Sequence, residues 1–192
     1  MGPEPQKQKR KVRADAARNR ALLLEAATVI FSQGGPQASL EDVARQAGVG
    51  IGTLYRHFPA RQDLFEAVYR HEVDQLGLLA EKLAQTPGPV EALRSWLHAS
   101  VRLVATKKGM VEALQLVAHG PTELTAYSLQ RMTGAIALLL SRGIEAGVLR
   151  DDIFAEDLWR TIIGIYNAQP KGNWQPLAIK MVDVLVDGLR RS

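Results

Sequence analysis

Apolar positions recur along most of this chain at close to helical spacing, and the pattern predicts one helix after another. Leu23, Ala27, Ile30 and Phe31 share one stripe of a helix that starts at Asp15 and that Gly34, Gly35 and Pro36 stop. Ser39 is placed to cap a short helix reaching Ala47, with Asp42 three residues on to complement its free N–H groups. Gly48 closes that helix, and a second short one spans 50–57. Leu64, Val68, Leu76, Leu79 and Leu83 mark a longer helix over 60–85, broken by Thr86-Pro87-Gly88-Pro89. Further helices are expected over 90–106, 109–118 and 122–146, divided at Lys107-Lys108-Gly109 and His119-Gly120-Pro121, with Gly147 as a C-terminal residue of left-handed conformation. The last two, 155–168 and 175–190, flank a loop at 169–173. No alternating run of β-branched residues is bounded by turns, so the predicted fold class is all-α, with about nine helices.

Composition narrows the function classes. Of 192 residues, 46% are apolar, enough for a sizeable core, and the absence of cysteine excludes disulfides, thiolate metal sites and cysteine nucleophiles. No apolar run approaches the roughly 18 residues a membrane-spanning helix needs. The polar, basic start does not read as a signal peptide, so a cytoplasmic protein with no membrane partner is expected.

Charge is unevenly placed. The net charge is +4 with a pI near 9.5. Residues 1–70 hold 11 Lys and Arg against 7 Asp and Glu, whereas the remainder holds 13 of each. That asymmetry points to a polyanion partner at one end and something neutral at the other. Residues 1–14 lack periodic apolar positions and are expected to form a disordered basic arm, with Lys9, Arg10, Lys11 and Arg13 available to that polyanion.

The segment 38–57 carries the sharpest signal. Two short helices joined by a tight glycine turn suggest a helix-turn-helix. Ala44 is small where the second helix crosses the first, and Gly48 takes positive φ without steric cost. Leu40, Val43, Ala47, Val49 and Leu54 supply a miniature core. The second helix then exposes Ile51, Thr53, Tyr55, Arg56 and His57, while Gly50 and Gly52 leave its first turn free of side-chain bulk. Beside the basic arm, this pattern points to duplex DNA.

The ordered run Ala38-Ser39-Leu40-Glu41-Asp42-Val43-Ala44-Arg45-Gln46-Ala47-Gly48-Val49-Gly50-Ile51-Gly52-Thr53-Leu54-Tyr55-Arg56-His57-Phe58-Pro59 resembles the DNA-binding signature of the TetR family of bacterial transcriptional regulators. Arg20 to Ala27, with Phe31 and Gly34, resembles the family's first helix; Gly147-Val148-Leu149-Arg150-Asp151-Asp152 resembles a later inter-helix link, and the C-terminal part is similar to the SbtR-like subgroup. The resemblance implies a three-helix head over 15–60 and a ligand-binding and dimerisation domain over 61–192. It implies a phosphate contact for Ser39 and base-edge and backbone contacts for Gly50, Ile51, Gly52 and Thr53. It implies backbone contacts for Tyr55, His57 and Arg61. Arg56 can contact guanine, although the resemblance turns that position toward protein or backbone. Two positions depart from the family pattern: Gly50 and Ala60 stand where serines are frequent, which removes a hydroxyl contact or cap and weakens the start of the fourth helix.

Leu158, Ile162 and Ile165 form one apolar stripe, and Leu177, Met181, Val184 and Leu185 another. The resemblance implies that these helices pair across a homodimer, setting two recognition helices one DNA turn apart on a palindromic operator. It also implies a pocket for a small apolar or aromatic effector, with Trp96, Ser100, Leu103, Met110, Leu114, His119, Tyr127, Trp159 and Tyr166 as candidate lining. The expected function is a ligand-responsive repressor. A regulator without an inducer, a non-specific architectural DNA binder and, least favoured, a small helical enzyme using His98 or His119 are the alternatives. The four histidines show no HExxH or paired spacing, and no GxSxG or GxxxxGK[ST] occurs, so no metal site, cofactor or catalytic residue is assigned.

Overall fold

The computed structural model describes residues 5–34, 38–113, 122–167 and 174–191. Eight helices make up most of them: α1 (Pro5–Gly34), α2 (Leu40–Gln46), α3 (Ile51–His57), α4 (Arg61–Leu83), α5 (Pro89–Ala113), α6 (Thr122–Glu145), α7 (Ala155–Asn167) and α8 (Gln175–Gly188). An isolated antiparallel bridge joins Leu149 to Arg190.

Two expected boundaries move. The basic arm expected to be disordered is helical from Pro5 onward, as the first part of α1. Its Gln, Lys, Arg and Ala residues lose little rotamer freedom in a helix, and proline is tolerated in the first turn, where its missing N–H has no partner to lose. Lys107-Lys108-Gly109 does not break α5, which accounts for eight helices rather than nine. A Cβ added at Gly109 would lie 1.6 Å from the carbonyl oxygen of Phe31, so glycine here lets α5 pass against α1.

The chain forms two compact units, one of Met1–Tyr69 with Thr106–Ala118, the other of Arg70–Ala105 with His119–Ser192. The first therefore extends past residue 60 into α4. Its interior gathers Leu23, Ala27 and Phe31 of α1, Val43 of α2, Leu54 of α3, Leu64 and Val68 of α4 and Met110 of α5, all buried. The Lys107 ammonium lies 5.1 Å from the centre of the Tyr69 ring.

The second unit is built around Trp96, Leu93 and Leu97 of α5, Met132, Ile136 and Leu139 of α6, Ile162 and Tyr166 of α7, and Val182 and Val186 of α8. The Trp96 indole N–H donates to the Leu76 carbonyl at 2.8 Å, which satisfies the one polar group of a fully buried side chain. Arg142 donates to the carbonyls of Leu83 (3.4 Å) and Thr86 (3.1 Å), tying α6 to the turn that follows α4. Arg94 reaches from α5 to Asp183 (2.9 Å) and Asp187 (2.6 Å) of α8. The neighbouring Arg94 guanidinium holds the Asp183 carboxyl below the usual range, with His98 at 2.8 Å adding to the effect.

Candidate nucleic-acid interface

Within the first unit, local chemistry fixes α2 and α3. Ser39 is the N-cap of α2: its hydroxyl accepts from the Asp42 N–H at 3.1 Å while the Asp42 carboxylate accepts from the Ser39 N–H at 3.3 Å. This reciprocal box satisfies two otherwise free donors. The Ser39 hydroxyl also donates to Asp42 at 2.9 Å, and that bond is the main cause of a lowered Asp42 pKa. Arg45 is engaged by the same carboxylate. Gly48 turns the chain with φ of 68°, a left-handed conformation that side-chain-bearing residues adopt at a cost. The Val49 N–H returns to the Ala44 carbonyl at 3.0 Å, bringing the next helix across a residue small enough to admit it.

Seven residues of α3 cannot hold a helix by hydrogen bonding alone. Two side chains anchor it: Leu54 is 0% exposed and Phe58, just past its end, is 2% exposed. Each burial is worth roughly 1.5–3 kcal/mol. The Arg20 guanidinium of α1 lies 5.3 Å from the centre of the Phe58 ring, and His57 leans on the same ring at 6.3 Å. With Leu54 turned inward, the opposite face carries Ile51 (38% exposed), Gly52, Tyr55 (43% exposed) and Arg56 into solvent. Thr53 and His57 are half-buried at its margins. Gly50 and Gly52 each have open space where a Cβ would stand, so nothing inside the protein demands their lack of a side chain.

Arg61 is exposed at the start of α4, and Arg10 and Arg13 are exposed on α1, the helix that also contains Lys9 and Lys11. Asp63 was missed in the sequence: its carboxylate accepts from the Ala60 N–H at 2.8 Å, the half of a capping box that an N3 acid supplies, while alanine at 60 leaves the serine half unmade. An acid three residues past a helix start was the available signal. Among the described residues no three histidine, aspartate or glutamate side chains gather as a metal site, and no helix is long and apolar enough to cross a membrane.

This geometry, a capped helix, a glycine turn and a short anchored helix with one bare face, has a match among known families. Residues 23–68 match the model described as bacterial regulatory proteins, tetR family, and residues 88–191 match that described as transcriptional regulator SbtR-like, C-terminal domain. The chain belongs to the TetR family of bacterial transcriptional regulators. Among relatives, the transcriptional repressor LfrR of Mycolicibacterium smegmatis is 40% identical over 75 residues, 39% of each chain. The match thus spans about two-fifths of that relative's length. The TetR regulator SCO0520 from Streptomyces coelicolor has a crystal structure with a TM-score of 0.77 at 37% identity, covering 90% of this chain and 99% of that one. A crystal structure of LfrR from Mycobacterium smegmatis in complex with proflavine has a TM-score of 0.59 at 25% identity, covering 87% of this chain and 95% of that one.

The second unit holds most of the residues matched to the SbtR-like C-terminal domain, and the candidate pocket and dimer residues fall there as follows. Trp96, Ser100, Leu103, Met110 and Tyr166 are buried, Tyr127 and Trp159 half-buried, and Leu114 and His119 lie outside the described residues. The Ser100 hydroxyl and the Tyr166 hydroxyl are 2.5 Å apart. Burial pushes the Tyr166 phenol up to about 12, the Ser100 hydrogen bond acting in the opposite direction. The Tyr127 hydroxyl donates to Asp74, under the Arg70 guanidinium 4.4 Å from the centre of its ring. None of the nominated residues lines either of two open depressions. One, of about 570 Å³, lies among Leu79, Leu83, His98, Arg102 and Ile179; the other, of about 410 Å³, lies among Gly77, Gln130, Arg131 and Leu138.

The proposed dimer stripes also divide. Leu158 and Ile162 are 1% and 0% exposed and belong to the subunit's own interior, because α7 packs on both α6 and α8. Ile165 and Leu185 are half-buried, whereas Leu177, Met181 and Val184 (66% exposed) form a bare apolar stripe along α8.

Proposed function

We propose that this protein binds duplex DNA sequence-specifically as a homodimer and represses transcription by occupying a palindromic operator. The observation that carries the reading is the face of α3: Leu54 and Phe58 are sunk in the head while Ile51, Gly52 and Tyr55 stand free beside exposed Arg61. Ile51 and the methyl of Thr53 suit thymine methyls, Tyr55 and Arg61 suit phosphates, and glycines at 50 and 52 let the helix backbone come close. Ser39 and His57 complete the contact set at its margins. Lys9, Arg10, Lys11 and Arg13, on one continuous helix, add phosphate contacts. One recognition helix covers few base pairs, so two-fold pairing is required for selectivity. The apolar stripe Leu177, Met181 and Val184 supports pairing through α8, with Ile165 and Leu185 at its edge.

Release by a small effector is part of the proposal, supported by the proflavine complex of a relative. An effector favouring a conformer with misplaced heads lowers DNA affinity by that preference. A second reading, a regulator without an inducer, is favoured by the burial of Trp96, Ser100 and Tyr166 with their polar atoms already bonded. Footprinting on the DNA upstream of the protein's own coding region, with competitor DNA and a panel of planar aromatic compounds, tests both. A protected palindrome supports the regulator, and its loss with a compound supports the sensor. Uniform retardation of any duplex overturns sequence-specific regulation.

A further inference from the structure

We propose that Arg56 is a base-reading residue, recognising a guanine in each half-site across the space that Gly52 leaves empty. The inference rests on α3 being the DNA-recognition helix and adds the residue and the base that set part of its specificity.

Three observations converge on it. First, Arg56 is the permanently charged side chain of α3, whose sequence is Ile-Gly-Thr-Leu-Tyr-Arg-His. It is exposed, and it forms no hydrogen bond or ion pair among the described residues. Two neighbouring arginines of the head are engaged, Arg45 with Asp42 and Arg20 with the Phe58 ring, whereas Arg61 shares the exposed position of Arg56. No bond to the described residues holds Arg56 against the protein, which leaves base or DNA backbone as its partner.

Second, Gly52 lies one helical turn before Arg56, on the same exposed face. Side chains on a helix lean toward its N-terminus, so the surface over position 52 is covered by the residue a turn later. With no side chain at Gly52, and nothing but its chain neighbours and the helix's own backbone close to where its Cβ would be, the Arg56 side chain has a clear path back along the helix. That path carries the guanidinium from the C-terminal half of α3 to its N-terminal half, where the helix meets base edges.

Third, the chemistry suits a base. The planar guanidinium presents two parallel donors that match O6 and N7 of guanine in the major groove. The rest of the exposed face, Ile51 and Tyr55, offers an aliphatic group and a hydroxyl-tipped ring, neither of which selects guanine so sharply.

The test is selection of binding sites from random duplexes by the full-length protein, followed by affinity measurement on the best site across a range of salt concentrations. The wild type should enrich a palindrome with an invariant guanine in each half. Arg56→Ala should lose preference at that position alone, with a roughly 5- to 100-fold loss on the best site per half-site and little loss once the guanine is replaced. Arg56→Lys keeps the charge but not the planar fork, and should keep the salt slope while weakening the guanine preference less than Arg56→Ala does. A uniform loss over all sequences with a shallower salt slope makes Arg56 a phosphate contact and overturns the inference. Unchanged site preference in Arg56→Ala overturns it too. If the wild type enriches no site, the reading of α3 fails first, which separates the two failures. Helical circular dichroism and the melting temperature of each variant exclude a folding defect, which would not erase preference at one base pair selectively.

Discussion

Gly109 of α5 and Phe31 of α1 approach so closely that a Cβ on the glycine would stand 1.6 Å from the Phe31 carbonyl oxygen. Both atoms that would collide are on regular helix backbone, so neither can move aside without shifting a helix. Gly109→Ala should therefore destabilise the head by about 1–3 kcal/mol or more, through overpacking. Gly134→Ala, in α6 where a Cβ meets nothing, should be neutral or stabilise by up to roughly 1 kcal/mol. Paired thermal melts check the contrast, and equal behaviour of the two variants contradicts it.

At Gly52 the sign differs between folding and binding. Its Cβ would meet open space and its helical conformation suits alanine, so Gly52→Ala should stabilise the fold by about 0.5–1 kcal/mol. On DNA the added methyl enters the closest approach of the helix and blocks Arg56. Operator affinity should fall at least tenfold as the melting temperature rises. A variant that binds as tightly as the wild type shows that α3 does not approach DNA at this position.

The Tyr166 phenol, buried beside Ser100 and raised to about 12, links stability to alkaline pH. The unfolded chain releases this proton near pH 10 and the folded chain near 12, so over that interval the unfolded state binds fewer protons. The tyrosine's contribution is fully present below pH 10 and is lost as pH rises toward 12, by roughly 2–3 kcal/mol in all. Denaturant midpoints of wild type and Tyr166→Phe should converge across this interval relative to their difference at pH 8. Parallel curves mean that the phenol is not insulated.

Exposed and buried members of the apolar stripes should respond differently. Val184→Glu places a charge in the bare face of α8 and should yield a folded monomer with a near-normal melt and little operator binding. Leu158→Ala should instead cost about 2–5 kcal/mol of stability, because it leaves a cavity inside the subunit. Sedimentation velocity with thermal melts distinguishes these outcomes; a Val184→Glu protein that remains dimeric removes α8 from the interface.

Residues 38–58 were the most legible part, because caps, glycine turns and anchors act over three or four positions. Ser39, Asp42, Gly48 and Leu54 could each be given a physical task from sequence neighbours alone. The misreadings have long-range causes. Gly109 reads as a breaker until its partner, nearly eighty residues earlier, is known. Periodicity marks Leu158 and Val184 alike as apolar, but which face meets its own subunit depends on how α6, α7 and α8 pack. The Arg94 pairs with Asp183 and Asp187 join residues about ninety positions apart, with no local signature. The polar start of α1 offered no apolar stripe, and helix propensity alone carried the helix back to Pro5.

The most direct test of the exposed α3 face as a DNA probe is a hydroxyl-radical footprint of the purified protein on its selected operator, compared with Tyr55→Phe and Arg61→Ala. The predicted result is two protected patches related by a two-fold axis and roughly 34–36 Å apart, one on each half-site. Both variants should bind more weakly without a change in preferred sequence. A single patch, protection without symmetry, or wild-type affinity in both variants would contradict the assignment.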